Sequence, residues 1–394
     1  MALSSATVDP ARAEANDTTL SWRSDALLQG SVESVRAAAP WGGGRASLRT
    51  LEGRLNLYGQ CDAGWCQGAS AVLRPRLAVR DGNTDLSERP VAWPEAYLMY
   101  SSGATQLSFG RRLLGWGPAL AYSPTNRLFP DNGAVTPRHE VAGKAMLTWS
   151  GSLPRGGQFT ALLAEPHAED LAGERIHGSF GALRAEWRAE GASMATVGLV
   201  AGGGGALAPY VGGYAQRTLG EAVTVGVEAS FSRRYAANGS AALAALAQNR
   251  GGPHADALVN VRYGLASGAE LGAELIYNGF ALADAELADP RIAALPSTGR
   301  AAGWTRPLHP LVQRRYALLQ FTSPSLFGDK RWGLTLRTLR GLERRSTDSF
   351  AELSWSATDA LSLYLGYAGS VVEPALAVSR PVRHRAYLTV ESFF

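Results

Sequence analysis

Hydrophobic and polar residues alternate along much of the chain with a period of two. Near the end, Ala386, Leu388, Val390, Ser392 and Phe394 fall on one face of an extended segment, and Arg385, Tyr387, Thr389, Glu391 and Phe393 fall on the other. Upstream, Leu361, Leu363, Leu365 and Tyr367 oppose Ser362, Tyr364 and Gly366, and Ala351, Leu353 and Trp355 oppose Phe350, Glu352, Ser354 and Ser356. Trp332, Leu334 and Leu336 oppose Arg331, Thr335 and Arg337, and Val223, Val225, Val227 and Ala229 oppose Thr224, Glu228 and Ser230. Nearer the start, Ala71, Leu73, Leu77 and Val79 oppose Ser70, Arg74, Arg76 and Arg80. A strand carries this split when one side meets an apolar medium and the other meets water. Each unit is about ten residues, the length that crosses a bilayer as a tilted strand.

The pattern predicts about eighteen strands between Trp22 and Phe394, or sixteen or fourteen if the weakest segments drop out, the even number following from barrel closure. Connectors sort by length. Those near Thr358 to Ala360, Ser323 to Gly328, Ala266 to Gly268, Leu219 to Glu221, Glu190 to Gly191, Ser152 to Gly156 and Ser101 to Gly103 are short and fall on one side. Alternate connectors, around Val371 to Pro381, Arg340 to Thr347, Ala281 to Leu311, Arg233 to His254, Glu165 to His177, Leu113 to Gly143 and Asp81 to Pro90, are mostly long, with a brief exception at Gly202 to Gly205. A β-sandwich would alternate too, but its loops would not sort in this way. Trp149, Trp187, Tyr263, Phe321, Trp332, Trp355 and Phe394 lie near strand ends on the apolar face, where an aromatic girdle is expected. The predicted fold is all-β: a closed antiparallel transmembrane barrel in a bacterial outer membrane, both termini periplasmic. Residues 1–20 read as a periplasmic extension and 21–394 as one barrel, with the connector 113–143 either folded inward or capping the mouth.

Composition agrees. Charged residues at 18%, hydrophobic residues at 46% and mean hydropathy of −0.08 are too apolar for disorder and too evenly polar for a helical membrane protein. The uncharged stretch Gly191 to Gln216 is long enough for a helical span, but Gly202 to Gly205, Pro209, Gly212 and Gly213 argue for two strands and a turn. Met1 to Thr19 carries Asp9, Arg12, Glu14 and Asp17 where the apolar core of an export signal would stand, so such a segment is expected to have preceded this chain in its precursor. The net charge of +4 comes from scattered arginines rather than a basic segment, which excludes a nucleic-acid partner. Cys61 and Cys66 bracket Asp-Ala-Gly-Trp without a nearby His, so a small periplasmic disulfide is expected in preference to a metal site.

Three segments resemble known families. The terminal Phe394 on an alternating strand resembles the recognition signature of bacterial outer-membrane barrels, which implies the barrel assembly machinery as a partner; Ser392 departs from the aromatic or apolar residue common two positions earlier. Gly110-Arg111-Arg112-Leu113-Leu114-Gly115-Trp116-Gly117-Pro118, with Ser123-Pro124-Thr125-Asn126 and Pro137-Arg138-His139-Glu140, is similar to a strand-then-loop segment of capsule-assembly Wzi-type barrels and, more loosely, of alginate-export porins. That resemblance implies a barrel linked to surface or exported polysaccharide. His177-Gly178-Ser179 resembles the His-x-Ser step of outer-membrane phospholipase, although Phe180 stands where that family has Asn.

Candidate chemistry concentrates in the lumen. Parity places Arg54, Arg74, Arg76, Arg80, Arg112, Lys144, Arg184, Arg188, Arg262, Arg314, Arg337 and Arg385 inward, against Glu52, Glu95, Glu186, Glu228, Glu270, Glu274, Glu352 and Glu391. A cationic lining between low-dielectric walls concentrates anions; alternatively, Arg and Glu pair across strands and stiffen the wall. The proline-rich connector 113–143 either forms a constriction, with Trp116 in it and Arg127, Arg138 and His139 facing solute, or lies across the mouth. The expected function is an outer-membrane channel for anionic solutes or an acidic polysaccharide. The alternatives are a closed barrel that anchors or assembles surface polysaccharide, and a lipid hydrolase at the rim. Membrane lipid and lipopolysaccharide are expected partners; no cofactor, metal site or enzymatic activity is expected. The acidic connector 281–311, with Asp284, Glu286 and Asp289, is a solvated loop or a site for a divalent cation or lipopolysaccharide.

Overall fold

A computed structural model describes residues 20–35, 47–62, 66–80, 91–129, 143–164, 179–189, 194–204, 207–232, 252–279, 281, 311, 313–373 and 382–394. The chain forms β1 (Leu20–Val35), β2 (Ser47–Cys61), β3 (Ala69–Arg80), β4 (Val91–Ser102), β5 (Thr105–Arg112) and β6 (Lys144–Leu153). It continues through β7 (Gly157–Ala164), β8 (Phe180–Ala189), β9 (Ala195–Gly204), β10 (Leu207–Leu219), β11 (Val223–Ser232) and β12 (His254–Gly264). The last third is β13 (Glu270–Asn278), β14 (Arg315–Ser323), β15 (Trp332–Gly341), β16 (Ser346–Thr358), β17 (Leu361–Val372) and β18 (Val382–Phe393).

Every strand pairs antiparallel with the next, and β18 returns to β1 in a register that runs from Asp25 opposite Phe393 to Glu33 opposite Arg385. The result is a closed barrel of eighteen strands with no helix among the described residues. Closure extends to the last residue, whose amide donates to the Ser24 carbonyl at 3.0 Å.

The outer face follows the sequence parity. Leu98, Leu183, Leu275 and Leu319 stand exposed in mid-wall, Leu319 at 65% of its surface, which is the side a bilayer covers. Toward the periplasmic ends the aromatic residues meet one another: Trp332 pairs with Trp355 across strands, their rings stacked 5.7 Å apart, and Trp149 sits edge-on to Phe159. One external connector is shorter than expected, since only residues 342–345 separate β15 from β16. At the periplasmic turn between β2 and β3, Cys61 and Cys66 are bonded, their Cα atoms 5.8 Å apart.

The inner face is mostly polar, as expected, but carries a set of apolar residues as well. Met146, Leu162, Phe180, Val200, Leu258, Ile276, Leu318 and Leu339 occupy inward positions and are buried. Parity tells which way a side chain points; it does not tell what covers it.

Two outcomes follow. Because closure leaves no free edge, the protein in cold detergent should stay folded, migrate anomalously on a gel and shift on boiling; a far-ultraviolet spectrum dominated by helix would contradict the architecture. Replacing Cys61 and Cys66 with Ser should leave the strand spectrum intact and cost about 2 kcal/mol, the entropy of closing so short a loop, measured by denaturant titration. Labelling of either thiol in unreduced, denatured protein would contradict the bond.

Candidate functional site

The first half of the β5–β6 connector covers the inner wall. From Trp116 to Phe129 nearly every residue is buried, and the segment lies against inward side chains of β6 through β15. Trp116, Leu128 and Phe129 pack on Met146, Leu162, Phe180, Val200, Tyr210 and Tyr214. Ala119 to Tyr122 pack on Leu258, Ile276, Tyr316, Leu318 and Leu339. This explains the apolar inner positions: they face chain instead of water.

Such a segment has no ladder to satisfy its peptide groups, and the wall supplies partners. Glu274 accepts from the amides of Leu120 at 2.7 Å and Ala121 at 3.3 Å. One oxygen of Glu228 accepts from the Thr125 amide at 2.8 Å, from Thr125 Oγ1 at 2.7 Å and from Ser123 Oγ. Asn260 Nδ2 and Arg262 Nη2 both donate to the Pro118 carbonyl at 2.8 Å, and the Tyr210 hydroxyl donates to the Thr125 carbonyl at 3.0 Å. Asn126 ties the connector to itself, donating through Nδ2 to the Leu114 carbonyl and accepting through Oδ1 from the Phe129 amide.

Two glycines make the approach feasible. Gly117 has φ of +83°, and a Cβ there would meet Glu228 Oε2 at 2.5 Å. On the wall, a Cβ at Gly226 would meet Pro118 Cβ at 2.7 Å.

The expected lumen residues divide into two sets. Arg127 does not face solute: it is buried, donates from Nη2 to Ser230 Oγ at 3.0 Å, lies 3.6 Å from Asp256 and rests over the Tyr210 ring. A guanidinium brought into a packed interior needs such a partner. Trp116 is likewise an anchor in the packing, with Arg184 over its ring, and Lys144 is buried with Nζ over Phe129. Arg337 points inward from β15, whereas Arg314 is exposed outside β14, its amide donating to Glu343. Arg138 and His139 lie outside the described residues, as does the side chain of Arg80, whose backbone pairs with Thr50. So does His177 of the hydrolase-like step, while Ser179 is exposed and Phe180 buried.

The wall away from the connector keeps its arginines partly solvated and mostly paired. Arg74 bonds Glu95 at 2.5 Å and donates to the Tyr58 hydroxyl at 2.8 Å, and about a third of its side chain (32%) remains exposed. Glu52 holds Arg54 on one oxygen and Arg76 on the other. Arg385 bonds Glu33; on the connector side, Glu186 of β8 bonds both Arg184 and Arg188. Arg112 differs: it donates to Ser108 Oγ at 3.0 Å and lies over the Tyr97 ring, with no carboxylate partner among the described residues. Nearer the periplasmic mouth, Arg23 sits over Tyr58 on the same side.

The anchoring role of Glu228 and Glu274 went unread, though a signal existed. Glu228 has Tyr214 and Leu258 as cross-strand neighbours, and Glu274 has Asn260 and Leu318. An inward carboxylate with no cation opposite it requires partners from elsewhere in the chain. No cluster able to hold a metal ion occurs among the described residues.

No protein-family model matches the chain, and no curated protein matches it. Solved barrels do. OccAB1 of Acinetobacter baumannii gives a TM-score of 0.58 over 95% of this chain and 96% of its own, at 9% identity. The outer membrane protein opdK of Pseudomonas aeruginosa gives 0.56 over 95% and 99%, at 11% identity. A structure of Pseudomonas aeruginosa OpdK with vanillate gives 0.55 over 95% and 98%, at 10% identity. At such identities the likeness is one of fold: a large closed outer-membrane barrel, the setting that the lipid-facing belt of this chain also fits.

Replacing Glu228 with Ala removes three bonds from the connector without touching the strand ladder. Anchoring should weaken by roughly 2 to 4 kcal/mol, at about 1 kcal/mol for each of the three buried bonds lost. Trypsin should then cut after Arg127, which is shielded in the parent, while the boiling-dependent gel shift persists; equal resistance in parent and variant would argue against the latch.

Proposed function

We propose that this chain is an outer-membrane channel whose path runs beside the inserted connector, along the inner wall of β1–β5, and favours anionic solutes. The observation that carries this reading is the lumen's asymmetry. One side is packed with the connector; the other carries partly exposed arginines interleaved with tyrosine rings, from Arg112 over Tyr97, through Arg74 and Tyr58, to Arg23. A guanidinium that lacks a carboxylate, held between low-dielectric walls, offers an anion both charge and donors. Vanillate, bound by one of the structural neighbours, is a carboxylate and belongs to the same chemical class.

The rival is a closed barrel that anchors or assembles surface polysaccharide, favoured by the packed, anchored connector in mid-lumen. Single-channel recording separates the two. In planar bilayers under a salt gradient, the reversal potential should have the sign for anion preference. Changing Arg74, Arg76 and Arg112 to Glu should move it toward cations, and deleting Trp116 to Pro137 should raise conductance. If neither parent nor deletion conducts, the closed barrel is the better account.

A further inference from the structure

Outside the lumen, cations gather on the lipid-facing side at the external ends of β13 to β16. Arg315 and Arg340 are exposed and occupy outward positions in their strands, in the same rows as Leu319 and Leu336. Those leucines stand exposed at the level of hydrocarbon, so the guanidiniums, each two outward positions beyond the leucine of its strand, stand at the level of the headgroups. Tyr277, outward and exposed on β13, lies opposite Arg315 and contributes the aromatic ring usual at that level.

The local acid takes up only part of this charge, since Glu343 pairs with Arg315 at 2.7 Å and does not reach Arg340. Glu343 accepts from Arg315 through Nε, leaving both terminal nitrogens of Arg315 unused among the described residues. Arg340 lies between Ala317 and Thr347 and has no hydrogen bond or ion pair among the described residues. An arginine turned toward lipid is tolerated at the interface and costly in the hydrocarbon, so its natural partner is an anionic headgroup. The planar guanidinium matches a phosphate with two parallel bonds.

We infer that this surface docks the phosphorylated head of lipopolysaccharide, Arg340 and Arg315 clasping a phosphate while the acyl chains lie along Leu336 and Leu319. The site is independent of whether the barrel conducts. It can be tested on the full chain in detergent by titrating lipopolysaccharide and counting bound lipid by native mass spectrometry. The parent should bind phosphorylated lipopolysaccharide, and the double variant Arg315→Gln, Arg340→Gln should bind roughly tenfold or more weakly. Arg217→Gln, outward but at the periplasmic end of β10, should bind as the parent does. Dephosphorylated lipopolysaccharide should bind the parent as weakly as phosphorylated lipid binds the double variant, and inorganic phosphate alone should not be retained. Equal affinity of parent and double variant, indifference of the parent to removal of the phosphates, or retention of inorganic phosphate would each overturn the assignment. The boiling-dependent gel shift shows whether the double variant is folded. If it is not, Arg340→Gln alone carries the test, with a weakened titration expected and an unchanged one overturning the site.

Discussion

Inside hydrocarbon no water is at hand to satisfy a peptide group, and this single constraint fixes most of the molecule. A sheet can obey it only by closing, which here means that β18 must find β1 across almost the entire chain, with Gln29 opposite Thr389 and Glu33 opposite Arg385. Closure with consecutive antiparallel strands fixes the even strand number and brings both ends of the barrel to one side. It also forces the period-two split, because every strand then has lipid on one face and lumen on the other.

Closure creates a second requirement in turn. Eighteen strands enclose more space than their own side chains fill, so the interior must hold water or additional chain. In this barrel the connector fills one side, and the other carries partly exposed arginines and tyrosines. The connector supplies an apolar surface, through Trp116, Leu128 and Phe129 and through Leu120 and Tyr122, against which inward Leu, Ile and Phe side chains can bury. Burial deprives its peptide groups of water, and the sequence answers in two ways. Pro118 and Pro124 remove donors that would need acceptors. Glu228 and Glu274 then take amides that remain, each carboxyl accepting more than one bond.

These two layers of the structure were unequally legible. The wall could be read from segments such as Leu361 to Tyr367 and Val223 to Ser230 because alternation is a local property, repeated strand after strand and checked by connector length. The interior could not, because the connector has no period. Nothing in the sequence around Arg127 says whether its guanidinium meets solute or Asp256; that depends on the path between Gly117 and Phe129, which long-range contacts decide. The same holds for the inward Leu258 and Ile276, which are covered by a stretch of chain far away in sequence. Glu228 carried a signal that was not read: with Tyr214 and Leu258 beside it and no cation opposite, an inward acid needs partners from elsewhere in the chain.

Pairing also changes how the lining charge must be counted. Parity alone credits the lumen with a row of arginines, but Arg54 and Arg76 share Glu52, Arg74 leans on Glu95, Arg385 on Glu33, and Arg184 and Arg188 on Glu186. A guanidinium bonded to a carboxylate presents a dipole, whose field falls off faster with distance than that of a lone charge. On the channel reading, the potential felt by a passing ion is therefore set less by the number of arginines than by the few without an acid. Arg112 is the clearest of these, with a hydroxyl and a ring as its only partners among the described residues. It also stands at the root of the connector, where β5 ends and the chain turns inward. Selectivity and constriction would then be linked by covalent geometry: any movement of the connector shifts the backbone that carries a guanidinium without a carboxylate partner among the described residues.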